Sequence, residues 1–363
     1  AFNIVIQILR TKAAGIFLGA QGMGLMAILN TTVQLIVGLT NFGLNTAGVQ
    51  KISESSGNDE KEVQRIIGVI QVIIWLSAIF GALICFFGAG ILSQSSFNNS
   101  EYAGAFMMLS VSIIFAQLTN GKTIVFQGLK KYRIMAYSSV IGNTLGLIIT
   151  LPLYYLYGVD SVVYVLIIAN IVTYVVAEFL SRSRFLLALK TTMSDLVIYG
   201  TPLIRLGFAL SIQSILTLLS SYLIQIWILK VGGLEDVGFY NAGLAMVNTY
   251  VGMVFTAMAT DYFPRLTSVF KIREERDATI NNQAIIALLL VAPIVLVFIS
   301  FSELFIRILY TSEFLVIAPM LYWSIAGVLF KCISWSVSYS FLASGDGRLF
   351  LKHEAFATGY NLA

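Results

Sequence analysis

Arg10-Thr-Lys12, Leu18-Gly-Ala-Gln-Gly22-Met-Gly24 and the apolar run closing on Lys51-Ile-Ser-Glu54 form the stretch whose reading decides the fold. It reads as two membrane helices joined by a tight glycine turn. The first helix carries two cations inside an apolar segment, and the second ends on a cation. The pattern recurs later in the chain. An offset of 214 carries Gly24 and Gly38 onto Gly238 and Gly252, and Lys51-Ile-Ser onto Arg265-Leu-Thr. At an offset of 215, Phe126-Gln-Gly-Leu-Lys-Lys-Tyr-Arg133 maps onto Phe341-Leu-Ala-Ser-Gly-Asp-Gly-Arg348. Arg10 and Lys12 are not repeated, since their equivalents are Ile224 and Ile226.

The whole 363-residue chain supports a membrane reading. It is 58% hydrophobic and 11% charged, with a mean hydropathy of +0.87, whereas soluble domains carry about a quarter charged residues. Uncharged runs such as 66–100 and 134–159 exceed the roughly 20 residues that cross a bilayer. Spans are expected near 1–18, 23–50, 65–93, 102–129, 134–157, 160–184, 197–230, 237–264, 279–309 and 313–344, with an eleventh starting about 348. Barrel strands do not compete, because the short alternating pattern is absent. The apolar runs at both ends lead us to expect a longer parent chain. Cys85 and Cys332 lie in apolar runs without metal-ligand spacing and read as buried hydrophobes.

Lysine and arginine set the orientation. The loops after spans two, four, six, eight and ten hold Lys51, Lys61 and Arg65; Lys130, Lys131 and Arg133; Arg182, Arg184 and Lys190; Arg265, Lys271, Arg273 and Arg276; and Arg348 and Lys352. The alternate loops hold none, with only Lys230 and Arg307 at their edges. Basic loops stay cytoplasmic, so the N-terminus is expected inside, and the net charge of +4 reflects topology rather than nucleic-acid binding. Six spans separate the two copies. Six is even, so the fold expected is an all-α polytopic membrane protein of two six-helix lobes related by a parallel pseudo-two-fold. The lobes are 1–184 and 197–363, the second containing spans 7–11. The linker 185–196 contains an apolar Phe185–Leu189 that suits either a surface helix or a charged loop.

Catalytic patterns are nearly absent, and no catalytic residue, metal ligand or cofactor is expected. His353 stands beside Lys352 and Glu354 in a solvated segment, and the glycines around Gly22 follow no strand, so they do not form a phosphate loop. The informative feature is positive charge at membrane depth. A lysine or arginine at a span centre costs about 2.5–3.5 kcal/mol on insertion scales and faces a bundle interior or a water-filled cavity. Lys331 lies deepest, with long uncharged flanks before Glu313 and after it to Asp346. Arg10 and Lys12 sit about 9–12 Å inside span one and point about 200° apart. Lys122, after Asn120-Gly121, and Arg205, after Thr201-Pro202, complete the candidate set. Snorkelling or packing is the competing reading for all but Lys331. A positive interior suits an anion such as phosphate or pyrophosphate.

The residues from Arg10 to Gly24, with Gly43 and Val49-Gln-Lys51-Ile-Ser-Glu54, resemble the polysaccharide-transporter or O-antigen flippase (Wzx) family of the multidrug/oligosaccharidyl-lipid/polysaccharide (MOP) exporter superfamily. Ser334-Trp335-Ser-Val-Ser-Tyr339-Ser-Phe341 and the loop to Arg348 look like that family's tenth span. The resemblance implies a MATE/MOP-like transporter, not an enzyme, in a bacterial inner membrane. Its cargo would be an undecaprenyl-pyrophosphate-linked oligosaccharide of O-antigen or lipopolysaccharide type, with the lipid tail left among the membrane lipids. The resemblance also implies a polysaccharide polymerase or chain-length machinery as partners, and cavity cations Arg10, Lys12, Lys122, Arg205 and Lys331 as the pyrophosphate site. A cation-coupled multidrug antiporter, which needs acids deep in a lobe, and a peptidoglycan-precursor (lipid II) flippase are the alternatives.

Overall fold

The computed structural model describes residues 2–55, 60–181, 191–343, 352, 356 and 359. Among these residues the regular structure is helical throughout: α1 (Phe2–Thr40), α2 (Leu44–Ser55), α3 (Glu60–Phe87), α4 (Ala89–Phe97), α5 (Ala103–Gly128), α6 (Tyr132–Tyr157), α7 (Val162–Leu180), α8 (Thr201–Val231), α9 (Leu234–Val269), α10 (Arg273–Leu309) and α11 (Ala318–Ala343). Among the described residues eight helical stretches are long and apolar enough to cross a membrane, and that from Tyr132 to Leu180 contains both α6 and α7. The all-α, multi-pass reading therefore holds. The segment from 348 on, which was expected to begin an eleventh span, includes Arg348 and His353, which lie outside the described residues.

The glycine turn sits where the sequence places it. Gly19 interrupts α1 with φ 62° and ψ −172°, a backbone that side-chain-bearing residues avoid. The second expected span is not continuous. Helix α1 stops at Thr40 and α2 starts at Leu44, because Phe42 (φ 52°) and Gly43 (φ 67°) are left-handed. Apolar composition conceals this break, since Phe42 is hydrophobic and only Asn41 and Gly43 signal it. Cys85 and Cys332 are free and buried, as read.

Packing divides the chain into two compact units, residues 1–18 with 25–233, and residues 19–24 with 234–363. In the first unit, α2, α3, α5 and α8 share one apolar core, including Leu44, Ile52, Ile66, Ile70, Ile124 and Leu203. Helix α8 joins this unit through a close backbone crossing. A Cβ on Gly43 would run into the Gly207 carbonyl, and one on Gly207 into the Phe42 carbonyl, so small residues are required there. This packing division places α8 differently from the repeat-based division at 184 and 197. Residues 182–190 of the expected linker, including Phe185–Leu189, lie outside the described residues. From Thr192 the chain is ordered by a capping box with Asp195, followed by a π-helical turn, Leu196–Gly200, into α8.

The second unit contains a reciprocal crossing. A Cβ on Gly24 would collide with the Leu234 carbonyl, and one on Gly238 with the Ala20 carbonyl. Leu234 and Gly238 are the residues that the 214 offset pairs with Ala20 and Gly24. The contact is reciprocal: each helix meets the residue that the 214 offset pairs with its own.

Candidate functional site

The five candidate cations occupy different environments. Arg10 is half-buried, with its guanidinium near the hydroxyl of Tyr154, a fully buried residue of α6. That hydroxyl in turn donates to the Met26 sulfur at 3.5 Å. Lys12 is half-buried on the same helix. Lys122 forms an ion pair with Glu178 of α7, Nζ to Oε2 2.6 Å, with the lysine side chain 12% and the glutamate 27% exposed. Tyr174, one turn before Glu178, lies near the same carboxylate. Arg205 is exposed on the first turns of α8. All four belong to the first unit. Arg10 and Lys122 go to separate partners there.

Lys331 belongs to the second unit, where it is exposed on α11 with its Nζ 5.7 Å from the centre of the Phe255 ring. Such a cation–π contact weakens as water gains access. Residues 331, 335 and 339 follow one another at four-residue spacing and share a helix face. Trp335 packs on Phe255 at 5.3 Å, on Tyr262 at 5.5 Å and on Tyr339 at 4.9 Å between ring centres. The Tyr262 hydroxyl donates to the Ser336 carbonyl at 2.6 Å, fixing α9 against α11. Lys331 thus stands at the end of a rigid aromatic wall. Among the described residues Arg10, Arg205 and Lys331 have no carboxylate partner within ion-pair distance.

Two features escaped the sequence reading. The first is a buried amide lock at the break between α1 and α2. Asn41 Nδ2 donates to Gln117 Oε1 at 3.0 Å and to Asn45 Oδ1 at 3.4 Å. Gln117 Nε2 donates to the Val37 carbonyl at 3.1 Å and to Thr40 Oγ1 at 2.9 Å. The Val37 carbonyl also accepts from the Asn41 amide at 2.9 Å, so a side chain from α5 ties onto the last turn of α1 beside that turn's own helical bond. Asn41, two residues before Gly43, and Gln117, an amide inside the apolar run of α5, were the available signals. The second feature is a polar groove on α2. Asn45, Thr46, Gln50, Ser53 and Glu54 line it with Gln127 of α5, around a cavity of about 560 Å³.

The family described as polysaccharide biosynthesis protein matches residues 17–319. The lipid III flippase of Escherichia coli (strain K12) is 19% identical over 94% of this chain and 82% of its own length. A multidrug resistance MATE family transporter of the MOP superfamily, solved in an inward-facing conformation, matches with TM-score 0.78 and 15% identity over 97% of this chain and 84% of that one. A MOP superfamily transporter from Pyrococcus furiosus, described by the reverse polarity of its binding pocket, matches with TM-score 0.66 and 16% identity over 98% of this chain and 83% of that one. At these identities the solved structures establish the fold.

Proposed function

The chain belongs to the polysaccharide biosynthesis protein family, and from that membership we propose that it flips a lipid-linked oligosaccharide across a bacterial inner membrane by alternating access. The cargo is an undecaprenyl-pyrophosphate-linked O-antigen or related repeat unit, carried from the cytoplasmic to the outer face. The observation that carries this reading is the family match over residues 17–319. Likeness to a lipid III flippase along 94% of the chain supports it.

The charges supply a mechanism. Arg10, Lys12, Arg205 and Lys331 give a pyrophosphate positive partners at membrane depth, and fixed cations replace the headgroup's hydration. Lys122 contributes once the headgroup competes with Glu178 for it. An inside-negative potential favours outward movement of the anion by about 2.3 kcal/mol per charge per 100 mV. In this reading lobes 1–184 and 197–363, joined by 185–196, expose the cargo to each membrane face in turn, with the N-terminus cytoplasmic. A polymerase or chain-length machinery receives the glycan outside. Transport needs no bond to be made or broken, so no catalytic group is invoked. A cation-coupled antiporter would use a deep acid, whereas the deep charges here are basic and Glu178 is tied to Lys122.

Expression in a cell lacking its own lipid-linked-glycan flippase tests the reading. The protein restores surface polysaccharide, and Lys331→Ala at equal protein level does not. Absence of rescue by the unaltered protein with every O-antigen-type precursor tried would remove the reading.

A further inference from the structure

Helix α2 is amphipathic in a chain that is otherwise mostly apolar. Its Leu44, Ala47, Gly48 and Ile52 are buried, packed against α3 and α5. A Cβ on Gly48 would meet Ile70 and Ile124, and one on Gly128 would meet Ile52. The opposite face carries Asn45, Thr46, Gln50, Ser53 and Glu54 into the groove of about 560 Å³. Such a volume matches a small-molecule site. Beside Val49 and Glu54, its lining offers the hydroxyls of Thr46 and Ser53 and the amides of Asn45, Gln50 and Gln127, each able to donate or accept toward a sugar hydroxyl. The only charge in it is compensated. Gln50 Nε2 donates to Glu54 Oε1 at 2.9 Å, and Lys51 Nζ lies 3.9 Å from Glu54 Oε2.

A second cavity of about 330 Å³ shares Gln50 and Glu54 with the first. Its other walls are Tyr199, Pro202, Leu203 and Leu206, together with Lys51. A groove bearing hydroxyls and amides therefore abuts an apolar one; Gln50 and Glu54 line both, and Lys51, 3.9 Å from Glu54, lines the second. A lipid-linked glycan has the same order of parts: polyhydroxyl, phosphate, then hydrocarbon.

We infer that these two cavities form a loading site for the lipid-linked glycan within the first unit. The sugars next to the phosphate occupy the groove between α2 and α5, Lys51 meets the phosphate, and the first isoprene units lie against Pro202 and Leu206. This rests on the flippase reading and adds to it a glycan subsite separate from the membrane-depth cations. The sequence assigned Lys51 only to the repeat and to topology; the loading site gives it a ligand.

The test compares undecaprenyl pyrophosphate without sugar and the same lipid carrying a neutral hexose, an N-acetylhexosamine or a disaccharide. Binding to the detergent-solubilised protein is read by native mass spectrometry. The unaltered protein binds at least one glycosylated lipid more tightly than the bare one. The triple variant Asn45→Ala, Gln50→Ala, Gln127→Ala loses that preference, about tenfold or more for three lost hydrogen bonds, and binds bare lipid normally. Lys51→Gln weakens both lipids alike. A triple variant that keeps the preference, or a Lys51→Gln protein with unchanged affinities, overturns the loading site. Equal binding of bare and glycosylated lipids by the unaltered protein overturns the glycan subsite while leaving the flippase reading intact. Binding of neither lipid class defeats the flippase reading itself.

Discussion

Gly24 and Gly238 face each other across a crossing of α1 and α9, where a Cβ on either would run into the backbone of the opposite helix. The carbonyls of Leu234 and Ala20 fill the two positions reciprocally. The pairing ties the internal repeat at offset 214 to a physical requirement, because neither helix tolerates a side chain at this point. Gly24→Ala and Gly238→Ala should each lower the thermal midpoint of the solubilised protein, with a cost at or above the roughly 1–3 kcal/mol typical of overpacking. Gly252→Ala is the control. A Cβ there meets nothing within 4 Å, and alanine is the better helix former by about 0.5–1 kcal/mol. Its melting temperature should stay level or rise. Equal melting of all three variants would show that the crossing does not constrain the fold.

The amide lock predicts strong coupling between distant residues. Asn41→Ala leaves the fully buried Gln117 without the donor at its Oε1, and an orphaned buried polar atom costs about 1–3 kcal/mol. The double variant Asn41→Ala, Gln117→Leu should be less destabilised than the sum of the single ones, with a coupling of about 0.5–3 kcal/mol in a double-mutant cycle by thermal unfolding. Additive losses would mean that the two side chains act independently.

A similar argument applies to Lys122 and Glu178. Removing one partner from a buried pair strands a charge and costs about 3–5 kcal/mol, and partial exposure places this pair at the low end of that range or below. Glu178→Gln should reduce the yield of monodisperse protein, and the exchange Lys122→Glu, Glu178→Lys should recover most of it. Size-exclusion profiles distinguish the outcomes. No recovery in the exchanged protein would assign the two side chains separate tasks.

For Lys331, the aromatic wall should persist without the charge. Lys331→Met is expected to fold with the unaltered protein's tryptophan emission, since Trp335 keeps its contacts with Phe255, Tyr262 and Tyr339, yet to lose surface-polysaccharide rescue. Lys331→Arg should retain a substantial part of it. Rescue by Lys331→Met at the unaltered level would remove this cation from the cargo's path.

Local signals were legible in the sequence, and long-range ones were not. Hydropathy set out the spans, and Gly19 announced a turn that only a residue without a side chain makes easily. Both properties depend on neighbours in the chain. The break at 41–43 was hidden because Phe42 continues the apolar pattern while its backbone turns left-handed. The Lys122–Glu178 pair joins residues 56 positions apart on different helices, so nothing local distinguishes it from two snorkelling charges. The groove on α2 depends on which face packs against α3 and α5. The residues that line it read in sequence as the polar end of a span.

The most direct measurement is transbilayer movement of undecaprenyl-pyrophosphate-linked oligosaccharide in vesicles containing the purified protein. An impermeant lectin or glycosidase would report glycan reaching the opposite leaflet. Movement should depend on the protein, exceed that of the lipid II headgroup, and accelerate when the leaflet of origin faces the negative side. Vesicles that leave the glycan in its original leaflet while exporting cationic drugs would contradict the account.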